Sequence, residues 1–204
     1  MTGLGIFGGT FDPIHLGHLI IAEQIRDSLN LDKIIFVPNG NPPHKVNSFT
    51  DKKYRLDMLK LAIEDNQFFE ISEIEINKTS YCYTIDMIKE LKLIFKSDLF
   101  FIMGADSLVN IKTWHKYEEL LNLCNFIIFP RIFKNEVIEH WEKNKLQDWI
   151  RNNLTSEENK FIFINFPIIE ISSTEIRRKL TEKRSIKYLV PQKVITYIYE
   201  NNVY

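Results

Sequence analysis

Cysteine is scarce in this sequence. The two present, Cys82 and Cys124, form no CxxC pair, which removes the redox dithiol motif and suits a reducing compartment. Excess charge is missing too: 26 Lys and Arg stand against 27 Asp and Glu, a formal net charge of -1. No long-range pull toward nucleic acid or an anionic membrane follows from that balance, so any phosphate recognition has to be local. Apolar runs such as NFIIFP stop far short of the ~20 residues a bilayer span needs. The opening MTGLGIFGG has neither a basic leader nor an apolar run of export length. The expectation is a soluble, cytoplasmic chain with no nucleic-acid and no membrane partner. Internal repeats and low-complexity segments are absent as well.

What is present has globular composition: 204 residues, 45% hydrophobic and 26% charged, suited to one domain with a real core. β-rich runs recur at 4–7 (LGIF), 33–39 (KIIFVPN), 69–76 (FEISEIEI), 99–105 (LFFIMGA), 125–131 (NFIIFPR) and 160–166 (KFIFINF). Several are apolar at consecutive positions, as strands covered on both faces are. Between them, HLIIAEQIRDSL repeats apolar residues at helical spacing through Leu16, Ile20, Ile21, Ile25 and Leu29. DKKYRLDMLKLAIEDN does the same through Leu56, Leu59 and Ile63. Strand and helix in alternation predict an α/β domain over 1–204 with a parallel sheet, whose ligands bind beyond the carboxyl ends of the strands. Residues 134–160, with Trp141, Leu146, Trp149 and Ile150, read as a helical insertion.

The stretch GIFGGTFDPIHLGH, residues 5–18, lies on the first such loop. Gly8 and Gly9 allow backbone conformations or a close ligand approach that a side chain forbids. Pro13 suits a turn or a helix start. A helix beginning near His15 puts N–H groups and the positive end of its dipole at the loop mouth, an anion site. His15 and His18, three residues apart, share one face of that first turn. The helical setting favours neutral imidazoles, a bound triphosphate the protonated donors. Helix capping is the structural alternative for the pair; zinc is a third, without a companion Cys or acid at ligand spacing. The residues of GxGxxG and of GxxxxGK[ST] are missing.

At the far end EISSTEIRRKL, residues 170–180, follows an apolar strand. Ser172 with Glu175 three residues later has the form of a capping box, so a helix starts there. A purely structural cap is one reading. The other sets Ser173, Thr174 and Arg177 at a helix N-terminus, where N–H donors and a guanidinium grip phosphate. Two anion sites on one sheet edge suggest one polyphosphate.

GGTFDPIHLGH resembles the GxFDPxHxGH signature of the nucleotidyltransferase superfamily, whose members move a nucleotidyl group from a nucleoside triphosphate and release pyrophosphate. EISSTEIRRKL is similar to the ISSTxIR motif of that superfamily, in the form found in nicotinate-nucleotide adenylyltransferases. PNGNPPHK (38–45) resembles their substrate loop, GADSLVNIKTW (104–114) their GxDxxxxxxxW segment, and SYCYTID (80–86) their SYTxD stretch, with Tyr83, Thr84 and Asp86 as the matched positions. KYLVPQKVITYI has the family's character too, so the likeness runs from Gly5 to the neighbourhood of Tyr197. It implies a Rossmann-like doubly wound parallel sheet with helices on both faces. It also implies adenylyl transfer from ATP to nicotinate mononucleotide, with Mg²⁺ carried by the ATP phosphates.

The ATP-binding residues so implied are Gly8, Gly9, Thr10, Phe11, His15, His18, Gly104, Asp106, Ser172, Ser173 and Arg177, with His15, His18 and Arg177 as the catalytic groups. Those implied for the acceptor are Asn39, Lys45, Tyr83, Thr84, Trp114 and Arg131. In such a reaction the attacking phosphate is already an anion, so positioning and charge neutralisation suffice. The chain accordingly shows no Ser-His-Asp order, no reactive Cys setting and no close carboxylate pair.

The likeness departs between Phe133 and Lys160, where the chain is longer than the family pattern, and at Arg131, followed by Ile132 instead of proline. Pantetheine-phosphate adenylyltransferases are the nearest alternative, but they carry TxGH where this chain has HLGH and lack the NPPHK and Trp segments. A class I aminoacyl-tRNA synthetase fragment shares HxGH, yet no KMSKS-like loop is present. A non-catalytic nucleotide sensor would bind ATP and release no pyrophosphate. Assembly into a homo-oligomer stays open.

Overall fold

The computed structural model describes residues 2–41, 50–130, 143–154, 160–164 and 170–204. Six strands, β1 (Leu4–Gly9), β2 (Lys33–Pro38), β3 (Phe69–Ile71), β4 (Leu99–Gly104), β5 (Asn125–Phe129) and β6 (Phe161–Phe163), form one parallel sheet. Their order is β3-β2-β1-β4-β5-β6. Successive side chains leave opposite faces. Ile6, Phe101 and Ile128 enter one core layer, closed by α3 (Thr84–Ile94), α4 (Ala105–Val109), α5 (Tyr117–Leu123) and α6 (Lys143–Asn153). Phe7, Phe100 and Ile127 enter the other, closed by α1 (Leu16–Leu29), α2 (Lys52–Ile63), α7 (Ser173–Thr181) and α8 (Gln192–Glu200). This is the Rossmann-like doubly wound arrangement, and the consecutive apolar residues of the strands are explained by a helical layer on each face.

Chain order reverses between β1 and β4, and the ladders show what that does to the sheet. The β1–β2 ladder runs to Gly9–Pro38 and the β4–β5 ladder to Gly104–Phe129. The β1–β4 ladder covers only Leu4–Leu99 to Ile6–Phe101. The sheet therefore splits at its carboxyl edge, at the switch point where open α/β sheets take their ligands. Among the described residues no helix is long and apolar enough to cross a membrane.

Two elements differ from the sequence reading. The run 69–76 is a strand only to Ile71; residues 74–77 form a turn that buries Ile76 and Glu75 without a ladder. The turn packs on the end of β2 so closely that a Cβ on Gly40 would lie 2.1 Å from the Glu75 carbonyl oxygen, which only glycine tolerates. Helix α1 buries Gly17, Ala22 and Ile25, while Ile20 is 38% exposed. Ala22 and Ile25 enter the core layer, while a Cβ on Gly17 would meet the His15 ring at 3.1 Å and Ile171 at 3.4 Å, so the apolar stripe is rotated. Of the predicted insertion 134–160, α6 lies within the described residues, with Leu146 and Ile150 buried in the first core layer. Residues 131–142 and 155–159 are outside them.

Glu75 is 3% exposed, and burial pushes its carboxyl up to about 7; Glu90 and Asp86 add to the rise and Lys78 opposes it. The folded chain thus holds a proton that the unfolded chain releases near the ordinary value of 4.5. Stability from this group is complete below that value and is lost as pH rises to about 7. Glu75→Gln is expected to gain stability relative to the parent across this window, by up to about 3 kcal/mol. Urea unfolding of both proteins near pH 4.5 and above pH 7 measures it, and a difference independent of pH would refute the burial argument.

Candidate active site

The loop after β1 is shaped by Phe11 rather than by the glycines. Neither Gly8 nor Gly9 has a positive φ, contrary to the conformational freedom expected of them; the left-handed residue is Phe11, at φ 49°. Its ring is 2% exposed and meets Phe7, Phe36 and His18 edge-on. A Cβ on Gly9 would come within 2.9 Å of that ring, whereas one on Gly8 would meet nothing nearer than 3.6 Å. Gly9 is required by close packing, and Phe11 can meet a ligand only through its main chain. The Asn39 N–H donates to the Gly9 carbonyl at 2.8 Å, which ties the end of β2 to the same loop.

The two histidines realise the capping alternative in an unusual form. His15 is the N-cap of α1; its Nδ1 accepts from the His18 N–H, and the Nδ1 of His18 accepts from the His15 N–H, both at 3.3 Å. The rings lie nearly parallel, 3.6 Å between centroids. With Nδ1 accepting in each, the hydrogen of the neutral ring belongs to Nε2, on the side of the imidazole opposite its own backbone. Capping and donation to an incoming anion are two ends of the same ring.

Helix α7 is brought against this loop. Ser172 caps it by accepting from the Glu175 N–H at 3.2 Å, while the Glu175 carboxylate is taken up by Arg178 instead of closing a full capping box. Ser173 donates its hydroxyl to the Pro13 carbonyl at 2.9 Å, and Arg177 Nη1 donates to the Asp12 carbonyl at 2.6 Å. Arg177 also reaches Thr174 Oγ1 at 3.4 Å, and its side chain keeps 38% exposure. The two segments read separately as anion sites are thus joined by hydrogen bonds across 160 residues or more.

Arg55 supports the loop from beneath and had no signal in the sequence. It is 1% exposed, with Nη1 donating to the Thr10 carbonyl at 2.7 Å and Nε to the Thr50 carbonyl at 3.1 Å. Burial lowers its pKa, opposed by the charge of Asp12, so the guanidinium depends on that carboxylate. Asp12, 4% exposed, accepts from the Tyr204 hydroxyl at 2.8 Å.

Across the split, Gly104 is the N-cap of α4 and Asp106 stands in its first turn. Trp114 is partly buried, edge-on to Phe101 at 6.0 Å. Tyr83 is the N-cap of α3, which makes no side-chain cap bond, and Thr84 is the first residue of that helix. The His115 ring lies 4.4 Å from that of Tyr83, an acceptor-side neighbour that the sequence reading passed over although it follows Trp114 directly. Lys45 and Arg131 lie outside the described residues.

Two helix N-termini, those of α1 and α7, are joined at the carboxyl edge of one split α/β sheet, an arrangement suited to a nucleotide-handling enzyme. The sequence profile described as cytidylyltransferase-like matches residues 6–179, and the chain belongs to that family, among its nicotinate-nucleotide adenylyltransferases. It is 47% identical over 206 residues to a probable nicotinate-nucleotide adenylyltransferase of Thermoanaerobacter sp. (strain X514), with 98% of this chain and 93% of the relative covered. A protein of the same name from Caldicellulosiruptor bescii is 42% identical over 195 residues, covering 96% and 95%. The solved structure of Plasmodium falciparum nicotinic acid mononucleotide adenylyltransferase complexed with NaAD shares the fold, with a TM-score of 0.76 at 24% identity over 100% of this chain and 97% of that one.

The buried guanidinium generates a prediction. Arg55→Met removes the guanidinium donor to the Thr10 and Thr50 carbonyls and the buried charge whose field acts on Asp12. Breaking a buried charge pair from one side costs about 3–5 kcal/mol, so the midpoint of urea unfolding is expected to fall accordingly; a loss below about 1 kcal/mol would class Arg55 with surface ion pairs.

Proposed function

We propose that this chain transfers an adenylyl group from ATP to nicotinate mononucleotide, giving the deamido dinucleotide and pyrophosphate, a step of NAD biosynthesis. The observation that carries the reading is the junction of the two phosphate-type segments: Arg177 on Asp12 and Ser173 on Pro13, beside the His15–His18 pair. One polyphosphate crossing the split meets the N-terminal ends of α1 and α7 together. An oxygen of the acceptor phosphate forms a bond to the α-phosphorus while the bond to the bridging oxygen breaks, and pyrophosphate leaves with that electron pair. His15, His18 and Arg177 neutralise the charge that gathers on the phosphoryl oxygens. Lys45 is assigned to the acceptor phosphate on the family pattern. Among the described residues no three His, Cys, Asp or Glu stand together to hold a metal. Mg²⁺, which dehydrates reluctantly, suits entry on the triphosphate itself, where it offsets phosphate charge.

Choice of the acid over the amide belongs to the pyridine end. The uncapped start of α3 at Tyr83 and Thr84 offers main-chain donors, and Trp114 and His115 supply flat surfaces nearby. Asp86 is close enough to Glu75 to raise its pKa, a position compatible with its carboxylate turning away from the ring. A carboxylate only accepts and fits donors, whereas an amide NH₂ would face them unpaired, a penalty on the order of 1–3 kcal/mol.

ATP-dependent pyrophosphate release with nicotinate mononucleotide, nicotinamide mononucleotide and phosphopantetheine in parallel tests the whole reading. The expected kcat/KM favours the acid over the amide by roughly tenfold to a hundredfold. Turnover of phosphopantetheine alone would reassign the acceptor, and ATP binding without pyrophosphate would make the chain a sensor. His18→Ala is expected to lower kcat by roughly a hundredfold or more, as loss of a transition-state donor does, with a smaller change in ATP affinity. Loss of its cap alone would cost about 1 kcal/mol of stability and leave turnover near the parent value.

A further inference from the structure

The chain beyond α8 returns to the loop after β1. Tyr197 on α8 donates to Asp57 of α2 at 2.7 Å, Asn202 takes a left-handed turn at φ 49°, and the Val203 N–H closes on the Ile198 carbonyl at 3.1 Å. Tyr204 is itself 37% exposed, but its hydroxyl donates to Asp12 Oδ1 at 2.8 Å, 192 residues away in sequence. The same hydroxyl is hydrogen-bonded to the side chain of Thr50, whose N–H approaches Asp12 Oδ2 at 3.4 Å. Burial and the neighbouring carboxylate both raise the Tyr204 pKa, so the phenol keeps its proton and remains a donor.

Asp12 stands between this phenol and Arg177. The guanidinium takes the Asp12 main-chain carbonyl at 2.6 Å but stays 3.9 Å from Oδ2, too far for a hydrogen-bonded ion pair. A carboxylate deprived of its O–H partner would turn to the nearest exposed cation, and here that is Arg177. A bidentate pair would then occupy the guanidinium edge that an anion has to reach.

We propose that Tyr204 is a positioning residue of the phosphate site: its O–H holds the Asp12 carboxylate back from Arg177 and keeps the guanidinium open to ATP. The inference rests on Arg177 being a phosphate ligand, the reading given above. Tyr204→Phe removes one O–H and keeps the ring in its packing. Titration calorimetry of Mg·ATP into the parent, Tyr204→Phe, Arg177→Ala and the double variant provides the test. Tyr204→Phe is expected to weaken ATP binding by roughly tenfold, the scale of a hydrogen bond to a charged group, and to add nothing once Arg177 is gone. A general loosening of the fold would instead multiply the two effects, and would also appear in the unfolding midpoint. Parent-like affinity in Tyr204→Phe, multiplying effects, or no ATP binding by the parent would each overturn the proposal. Pyrophosphate release by the parent separates the two readings: ATP binding without release removes adenylyl transfer, while the affinity cycle still decides the role of Tyr204.

Discussion

Everything at the carboxyl edge of the sheet depends on a guanidinium that has no access to water. Arg55 joins the loop after β1, through the Thr10 carbonyl, to the chain entering α2, through the Thr50 carbonyl. Neither segment belongs to a ladder at that point, so the guanidinium supplies two part-buried carbonyls with donors that no strand provides. A neutral donor could serve the carbonyls, but the charge has a second use. It compensates Asp12, which is itself buried and must accept hydrogen bonds on both carboxylate oxygens. Removing Asp12 leaves the buried guanidinium without the carboxylate that favours its charge, which makes the loop hard to deform.

The histidine pair shows how one ring can cap a helix and still present a second nitrogen suited to chemistry. A serine or aspartate N-cap satisfies one helix donor and ends there. An imidazole uses one nitrogen as the cap and has another across the ring, so mutual capping by His15 and His18 sets the orientation of both rings before any ligand arrives. The parallel stacking at 3.6 Å narrows the orientation further. Such preorganisation is what electrostatic stabilisation of a phosphoryl centre requires, since donors that must reorient during reaction lose part of their effect.

Sequence patterning made the alternation of strand and helix legible, because consecutive apolar residues at 33–38, 99–104 and 125–129 report burial on two faces. The segments at 8–18 and 170–180 were legible for a local reason: caps, prolines and i to i+3 spacings are short-range chemistry. Arg55 and Tyr204 were not. A lysine-rich amphipathic helix gives no sign of which cation faces inward, and a tyrosine 192 residues from its partner has no spacing to read. The inward face of α1 differs from the periodicity because hydropathy ranks Ile20 above Gly17 and Ala22, whereas Gly17 is buried by the His15 ring and Ile171 and Ala22 by the core. The strand at 69–76 ends early because a β-rich run alone cannot distinguish a ladder from a turn that buries neighbouring residues, here Glu75 and Ile76.

The short β1–β4 ladder has a mechanical meaning. Among the described residues, three residue pairs, Leu4–Leu99 to Ile6–Phe101, are the ladder between the half of the sheet carrying β1 to β3 and the half carrying β4 to β6. A molecule lying across the split touches both halves beyond the last pair and so acts as a brace where the two central strands part. Its binding energy is then also cohesion between the halves. The reactants would stiffen the scaffold that aligns them, and departure of the product would return the joint to its three-pair strength.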